Sequence, residues 1–505
     1  MAKDYLASGF IGKYSGDVRV ITEDSSGLFY VSPFGTSISG TLYSKKGTYA
    51  KDDINVIQED FDHLIRYYSA LSDRHYDYRL VTERDSTGKA KTLAPIHNLK
   101  TINDSYGSGR WIDVDPFLYD TLKKNIEFSL MTEGRFNVFI GELSELYDNK
   151  ISEVKKGLQN CSPLDAALTV ANNAYFSSDI DAGKIQAALQ SIPQTKEEMA
   201  SMLEFREIKD AQGKVLHEIK FNRSPRGKGK VSMTLGGSAK GFATDAIASY
   251  FQRIYPDISL LINSGASSIK TVGKKPDGSS FAITYVNPIY RESIKLNEKA
   301  NPYETFLKLD GPFSLSTSGY YENYFYVFQG AGKKYLRRDH IIDVRTGYSQ
   351  SFFDQVSVIL DDAGTADMFT TALMNASSLE EAKNDFSRWT KALSLKEGKL
   401  ILCYKGQPEK LRLLYAYGND GLTNLSSYGL PKAVLVNGTV YDGNYQNGIS
   451  SLQIDGSKTI SSRVSDFREV FAYSKNLSGK IDLFTKYEST FFPHPDKAIS
   501  SLLKL

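Results

Sequence analysis

The stretch Thr234-Leu-Gly-Gly-Ser-Ala-Lys-Gly241 leads the chain from a glycine turn into a predicted helix. Ala243, Ile247, Phe251 and Ile254 follow at helical spacing and give that helix an apolar face. Adjacent glycines permit close backbone approach, and the N–H groups at a helix start attract anions. The stretch is therefore either a phosphate cradle or a structural turn, and its spacing excludes a Walker loop.

Elements on both sides of this turn predict an α+β fold. Residues 17–50 alternate polar and apolar side chains between glycine turns, which is typical of antiparallel strands, whereas residues 52–71 have helical periodicity. The other predicted elements are helices from Pro116 to Gly134, from Ser162-Pro163 onward, over 183–207 and over 364–376, a hairpin over 215–233 with its tip at 223–230, and strands at 260–262 and 356–360.

Composition is that of a globular protein and gives no overall charge for a nucleic-acid partner. Of 505 residues, 41% are hydrophobic, and 61 basic against 59 acidic residues leave a net charge of +2. Cys161 and Cys403 are too few for a disulfide scaffold or a thiolate metal site. The sequence begins without the apolar core of a signal peptide. Either the protein is cytoplasmic, or a leader such as one ending in a lipid-modified cysteine has been removed.

The end of the chain differs from the rest in its turn residues. Beyond about residue 420, closely spaced Asn-Gly and Asp-Gly pairs predict a small β-rich appendage. These pairs are Asn437-Gly438, Asp442-Gly443, Asn447-Gly448 and Asp455-Gly456. We therefore divide the chain into an N-terminal segment over 1–25, a core over 26–415 and a C-terminal extension over 416–505.

Two short motifs carry candidate chemistry. Asp367 and Thr371 lie four residues apart on a predicted helix and so share a face, where a carboxylate and a hydroxyl are suitable ligands for Mg²⁺. The alternative is a surface carboxylate beside a threonine that binds its own backbone. His340 and Asp343 end a predicted strand, and histidine is the side chain most easily tuned to accept a proton near neutral pH. A structural histidine is the alternative.

The order and combination of the motifs resemble the ApbE family of FAD:protein FMN transferases, over about residues 28–400. The resemblance implies an ApbE-like, T-fold-related core of antiparallel sheets and helices. The matching landmarks are Phe34-Gly-Thr36, Thr101-Ile-Asn103, Asp115-Pro116, Thr132-Glu-Gly-Arg-Phe-Asn137 with Ile140-Gly141, Leu235-Gly-Gly-Ser-Ala-Lys-Gly241 with Asp245, Asn263-Ser-Gly265, Ser316-Thr-Ser-Gly319 with Glu322, His340-Ile-Ile-Asp343 with Thr346-Gly347, and Ala366-Asp367 with Thr371-Ala372.

The resemblance implies an enzyme that cleaves the pyrophosphate of FAD with Mg²⁺. It would join FMN through its phosphate to a Thr or Ser hydroxyl of a target protein and release AMP. The target would carry a motif of the form Asp-x-x-Thr/Ser-Gly-Ala-Thr. The family also implies an extracytoplasmic, cell-surface location, with a lipid anchor to the membrane in the precursor.

Residue by residue, the resemblance assigns Mg²⁺ to Gly237, Asp367 and Thr371. It assigns contacts with FAD to Phe34, Asn103, Arg135, Phe136, Asn137, Thr234, Lys240, Thr317, Ser318 and Ile342.

Three positions depart from the family pattern. Thr234 stands where Asp is common, Phe34 stands where Met is common, and Phe136-Asn137-Val138 replaces Phe-Asp-Pro. Two carboxylates are thereby lost, which leaves fewer charged ligands around the adenine and the metal.

Charge explains how such a site would act. Mg²⁺ and the N–H groups of the glycine turn would neutralise the pyrophosphate and the leaving phosphate. We expect His340 to remove the proton of the attacking hydroxyl and Asp343 to orient its ring. Two alternatives stay open: hydrolysis of FAD to FMN and AMP in the same site, and a non-catalytic lipoprotein that binds FAD.

Overall fold

The structure is a computed structural model, and it describes most of the chain up to Tyr404. The described residues are 10–11, 20–23, 26–31, 33–44, 49–84, 86, 90–158, 176–227, 229–286, 303–329, 334–350, 352–395, 398–404, 414–418, 434–436 and 439–441. The helix predicted at Ser162-Pro163 lies outside them, as do most of segments 1–25 and 416–505.

Several of the helices begin where the sequence supplies a capping side chain. Asp115 accepts a hydrogen bond from the main-chain N of Phe117 at 2.8 Å, and Pro116 occupies the first helical position. None of the described helices is long and apolar enough to cross a membrane. The α-helices are α1 (Lys51–Ser72), α2 (Leu99–Asp104), α3 (Pro116–Met131), α4 (Gly141–Leu158), α5 (Ala182–Ser191), α6 (Lys196–Ala200), α7 (Ala239–Ile254), α8 (Ala363–Met374) and α9 (Leu379–Ala392).

The strands pair almost entirely in the antiparallel sense, which confirms the predicted α+β class. They are β1 (Phe10–Ile11), β2 (Val20–Glu23), β3 (Ser26–Val31), β4 (Ile38–Tyr43), β5 (Tyr78–Arg84), β6 (Ala90–Ile96), β7 (Trp111–Val114), β8 (Phe176–Ser177), β9 (Leu203–Lys209), β10 (Val215–Phe221), β11 (Ser259–Ser264), β12 (Ser268–Val272), β13 (Phe281–Val286), β14 (Tyr303–Leu309), β15 (Ser314–Gly319), β16 (Tyr324–Gln329), β17 (Lys334–Asp339), β18 (Phe353–Leu360), β19 (Lys399–Tyr404), β20 (Leu414–Gly418), β21 (Val434–Val436) and β22 (Thr439–Tyr441).

A nine-stranded sheet forms the centre of the described fold, in the order β2-β3-β4-β11-β12-β15-β18-β19-β20. Every residue of β18 is buried, as its continuous apolar run predicts. Helix α8 packs on β15 and β18, and α7 packs on β12 and on α8. The sheet thus brings the glycine turn before α7 next to the helix that carries Asp367 and Thr371.

Aromatic side chains join the helices on this sheet. The ring of Phe369 on α8 lies 5.3 Å from that of Phe128 on α3 and 5.7 Å from that of Trp389 on α9. On the other side of α7, the rings of Phe61 and Phe251 stack 6.4 Å apart. Burial of each such ring contributes roughly 1.5–3 kcal/mol. The helices of the candidate site are therefore fixed by the core.

Two sequence predictions outside this core are wrong. The hairpin predicted over 215–233 is instead formed by β9 and β10, whose register pairs Val215 with Lys209. Its turn is closed by Asp210, which accepts from the N of Lys214 at 2.9 Å, and Gly213 has a left-handed φ of 79°. The helix predicted over 183–207 therefore ends early. A second hairpin, formed by β5 and β6, lies where the sequence indicated only a polar stretch.

Little of the predicted C-terminal extension falls among the described residues. β21 and β22 pair on either side of Asn437-Gly438, as that turn signal predicts. β20 pairs with β19 at the edge of the large sheet and crosses the predicted boundary after residue 415. The other Asp-Gly and Asn-Gly turns lie outside the described residues.

Candidate active site

Asp245 fixes the start of helix α8. Its carboxylate accepts from the main-chain N of Ala363 at 3.0 Å and of Gly364 at 2.8 Å, and it pairs with Lys270 at 2.7 Å. Burial raises the pKa of Asp245 to about 6. Since Asp245 belongs to α7, this contact joins the helix that follows the glycine turn to the helix that carries the predicted metal ligands.

Asp367 presents a buried carboxylate between these two helices. Its Oδ2 accepts from the main-chain N of Gly241 at 3.1 Å, and its Oδ1 accepts from Ser316 Oγ at 3.0 Å. The residue is only 2% exposed, and burial raises the pKa of this carboxyl. The described residues give it no salt-bridge partner, although the more distant charge of Lys240 opposes the rise in pKa. A buried carboxylate without a counter-ion favours a bound cation.

Thr371 and Gly237 bring two more oxygen atoms together. The hydroxyl of Thr371 donates to the main-chain O of Gly237 at 3.4 Å. A Cβ on Gly237 would lie 2.8 Å from Thr371 Oγ1 and 3.2 Å from the ring of Phe136, so only glycine fits without a shift. The structure thus places the predicted carbonyl and hydroxyl ligands side by side.

These donors fit a hard divalent cation that also takes ligands from its substrate. Within the described part of the chain, no group of three or more His, Cys, Asp or Glu side chains could hold a metal by itself. Asp367, Thr371 and the carbonyl of Gly237 instead supply one charged and two neutral oxygens. Mg²⁺ is commonly bound by one or two carboxylates together with substrate phosphates and water.

His340 is held by the main chain of Asn323. Both its main-chain N and its ring Nδ1 lie near the carbonyl oxygen of Asn323, at 3.2 Å and 3.3 Å. Because a carbonyl only accepts, Nδ1 carries the proton of the neutral ring and Nε2 keeps its lone pair. Burial, together with the charge of Lys240, lowers the pKa of His340 to about 4. At neutral pH the ring can therefore accept a proton at Nε2.

Asp343 does not orient this ring, in contrast to the sequence-based expectation. Its carboxylate binds Arg345 through both oxygens, at 2.9 Å and 2.6 Å, and accepts from Gln350 at 2.8 Å. Asp343 is fully buried and closes the turn that pairs it with Tyr348. Its described contacts therefore stabilise the turn after His340 rather than the imidazole.

The low pKa of His340 can be tested by NMR. We expect one imidazole resonance to titrate at about pH 4, because burial disfavours the charged ring. With six histidines in the chain, the resonance that disappears in His340→Gln identifies it. A midpoint near 6.5, the ordinary value, would contradict the described environment.

Three predicted FAD positions, Arg135 to Asn137, lie on the segment after α3. A fourth, Ile342, lies on the segment after His340. Arg135 pairs with Glu381 at 2.6 Å, and Phe136 is buried against the ring of Phe128 at 5.4 Å. Asn137 donates to Pro193 O at 2.8 Å, and the O of Ile342 accepts from Asn375 at 3.2 Å. All four residues thus make contacts within the protein. The ring of Phe136 also lies 3.2 Å from where a Cβ on Gly237 would be.

The residues before the glycine turn hold its backbone. The side chain of Asn103 donates to Met233 O at 3.0 Å and accepts from Met233 N at 2.8 Å, so it fixes the strand that leads into the turn. The Oγ1 of Thr234 accepts from Gly236 N at 3.2 Å. Phe34 has a left-handed φ of 56° and is half-buried between two apolar clusters.

Hydroxyl groups connect β15 to its neighbours in the site. Ser318 donates to Thr370 on α8 at 2.9 Å, and Thr317 bonds with Ser357 on β18 at 2.8 Å. Together with the contact from Ser316 to Asp367, these bonds make the hydroxyl side chains of residues 316–318 a support for α8 and β18.

A family model described as ApbE family matches residues 34–388. The chain therefore belongs to the ApbE family. None of the curated proteins matches it.

Several solved structures are similar to the chain at low identity. The ApbE protein of Thermotoga maritima is 19% identical, with 76% of this chain and 94% of that chain covered and a TM-score of 0.49. The flavin transferase ApbE of Vibrio cholerae is 17% identical, with 77% and 97% covered and a TM-score of 0.49. The flavinyl transferase ApbE of Pseudomonas stutzeri is 15% identical, with 79% and 94% covered and a TM-score of 0.48.

Proposed function

We propose that the protein transfers FMN from FAD to a Thr or Ser hydroxyl of a target protein, with Mg²⁺, and releases AMP. Membership of the ApbE family supports flavin transfer as the activity. The observation that carries the proposal is the buried Asp367, without a cationic partner among the described residues, in one site with the adjacent oxygens of Thr371 and Gly237.

Asp367, Thr371 and the carbonyl of Gly237 would hold Mg²⁺, which would neutralise charge on the pyrophosphate of FAD. The positive end of α7 would also attract phosphate oxygens, although the N–H groups of Ala239 and Gly241 already donate to Leu235 O and to Asp367 Oδ2. Lys240, in the first turn of α7, adds a positive charge close enough to lower the pKa of both His340 and Asp367.

His340 would act on the attacking hydroxyl. Its neutral ring accepts the proton at Nε2 as the hydroxyl oxygen bonds to the phosphorus of the FMN half. The bond between that phosphorus and the bridging oxygen breaks, and AMP leaves with the bridging oxygen. No oxidant or reductant is needed, because the reaction replaces the phosphoanhydride bond of FAD with a phosphoester bond to the acceptor.

The direct test is mass spectrometry of a synthetic peptide that carries the Asp-x-x-Thr-Gly-Ala-Thr motif. With FAD and Mg²⁺, the peptide should gain one FMN phosphoryl group while AMP forms in equal amount. A matched peptide with Val in place of the acceptor Thr should stay unmodified. Free FMN with an unmodified peptide would instead establish hydrolysis, and FAD retained without AMP would establish a binding protein.

Gly237→Ala is expected to weaken Mg²⁺-dependent FAD binding by about tenfold, since overpacking typically costs about 1–3 kcal/mol. The added Cβ would lie 2.8 Å from Thr371 Oγ1 and push the carbonyl ligand away from the hydroxyl. Gly236→Ala is the matched comparison, because its Cβ would meet only Thr234 Oγ1, at 3.4 Å. Flavin fluorescence titration measures both, and equal affinities would argue against the turn as part of the metal site.

We also propose an extracytoplasmic location with a lipid anchor in the precursor, on the family resemblance. Fractionation of cells that express the natural precursor tests it. Recovery in the membrane fraction, with release by protease added outside the cytoplasmic membrane, is the expected result. Recovery in the cytosol would contradict it.

A further inference from the structure

A buried cluster of charged side chains includes the residue that precedes His340. Arg337, Asp339 and Asp354 have side chains that are 2%, 1% and 3% exposed. Arg337 donates to Asp354 at 2.6 Å and to the main-chain O of Phe353 at 2.7 Å, and its Nε lies 3.5 Å from Asp339 Oδ2. One guanidinium thus faces two carboxylates in the interior. A buried ion pair is weak evidence for stability, and in some proteins such groups instead fix one specific geometry.

The cluster holds the segment that contains the imidazole. Asp339 directly precedes His340, and its Oδ1 accepts from the main-chain N of Ile341 at 3.0 Å. Its own N donates to Ser349 Oγ at 2.9 Å. The backbone after His340 is therefore tied to the Asp339 carboxylate, which Arg337 faces, and the backbone before it is tied to the Ser349 hydroxyl.

The guanidinium of Arg337 also supports Asn323, whose carbonyl binds the imidazole. It stacks on the ring of Tyr320, with 3.8 Å from the guanidinium carbon to the ring centroid. The carbonyl of Tyr320 accepts from the main-chain N of Asn323 at 3.2 Å, and the carbonyl of Asn323 binds the His340 ring. Lys155 donates to the side chain of Asn323 and completes this support.

We propose that Arg337 is a positioning residue that fixes both His340 and the Asn323 carbonyl, and so maintains the ring tautomer with its lone pair on Nε2. The inference rests on the proposed function only for the role of His340 as the base. Arginine is suited to the task because its planar fork binds two acceptors while its face stacks on an aromatic ring, whereas lysine offers only a point charge.

Arg337→Lys tests the proposal, since it keeps the positive charge and loses the fork and the stack. We expect kcat for FMN transfer to fall by ~10–100-fold, part of the 10²–10⁴-fold that general-base help typically supplies, while KM for FAD is unchanged. The matched control is Arg66→Lys, which alters another arginine paired to a carboxylate, Asp62, in helix α1. Its kcat should stay at the wild-type value.

The NMR resonance of His340 provides a readout that a merely structural role would not move. The charges of Lys240, Lys155 and Glu322 act on the pKa of this ring, and Arg337→Lys leaves all three in place. In the folded variant the resonance should titrate above the value of about 4, toward 6.5, because the ring loses its fixed position. Asp354→Asn should shift it in the same direction and serves if Arg337→Lys does not fold.

A double-mutant cycle completes the test. If Arg337 acts through His340, Arg337→Lys should lower kcat in the wild type but not in a His340→Gln background. Full additivity of the two losses, or an unchanged kcat together with an unchanged resonance, would overturn the proposal. A wild-type protein that transfers no FMN would refute the proposed function instead, and the resonance would still decide the positioning role.

Discussion

Asp367→Asn is expected to abolish Mg²⁺-dependent FMN transfer, with a loss of about 10³-fold or more, equivalent to roughly 4 kcal/mol of transition-state stabilisation. The amide keeps the size of the side chain and can still accept from Gly241 or Ser316, but it has no charge for the cation. AMP release measured against Mg²⁺ concentration checks the result.

The same substitution should not destabilise the metal-free protein. Burial raises the pKa of Asp367, so the folded state disfavours the carboxylate, and the associated stability is lost as pH rises from 3.8 through the folded pKa. At neutral pH the neutral amide avoids this cost. We therefore expect an equal or higher Tm for Asp367→Asn without metal, and an increase in Tm on adding Mg²⁺ only in the wild type.

Asp361→Asn is the matched control for Asp367→Asn, because Asp361 is an exposed carboxylate just before α8. It should keep both the activity and the response of Tm to Mg²⁺. Retained turnover in Asp367→Asn would rule out this residue as the metal ligand, whereas a collapse of its metal-free Tm would show that the carboxylate serves the fold.

His340→Gln is expected to lower the rate of FMN transfer by about 10²–10⁴-fold, the usual contribution of a general base. The glutamine amide can still donate to the carbonyl of Asn323, but it cannot take the proton of the acceptor hydroxyl. FAD affinity should be unchanged, so the loss should lie in kcat. Single-turnover transfer to the acceptor peptide measures it.

His217→Gln is the comparison for this second substitution. The ring of His217 packs edge-on against Tyr119 at 5.1 Å, on the small sheet that contains β10. Its replacement should leave kcat at the wild-type value. A wild-type rate in His340→Gln would assign proton removal to another group, and a loss of FAD affinity would make His340 a binding residue.

The sequence predicted the elements with strong periodicity or strong caps. The helical spacing of apolar residues predicts α1 and α7, and the continuous apolar run predicts β18. Asp115 and Pro116 mark the start of α3. The spacing of Asp367 and Thr371 was also enough to place them on one helix. Spacing alone could not predict that Thr371 lies next to Gly237, because this contact depends on tertiary packing. Only the family resemblance indicated it.

The parts that sequence reasoning missed depend on main-chain atoms or on competing turns. Nothing in the side chain of Asn323 indicates that its carbonyl would hold His340. Asp343 is the plausible partner by chain distance, but its two carboxylate oxygens accept from Arg345, two residues away. The turn at 210–214 has a weaker sequence signal than the basic, glycine-rich run after Arg223, which is the more obvious place for the chain to reverse.

The ninth strand of the large sheet has a practical consequence for shortened versions of the protein. β20 supplies the outer row of main-chain hydrogen bonds to β19, from Lys399 with Gly418 to Cys403 with Leu414. A chain cut after residue 415 would leave main-chain N–H and C=O groups of β19 without partners. Such an open strand edge can pair with strands of other molecules. Truncations meant to yield soluble material for crystals should therefore retain the segment through Gly418.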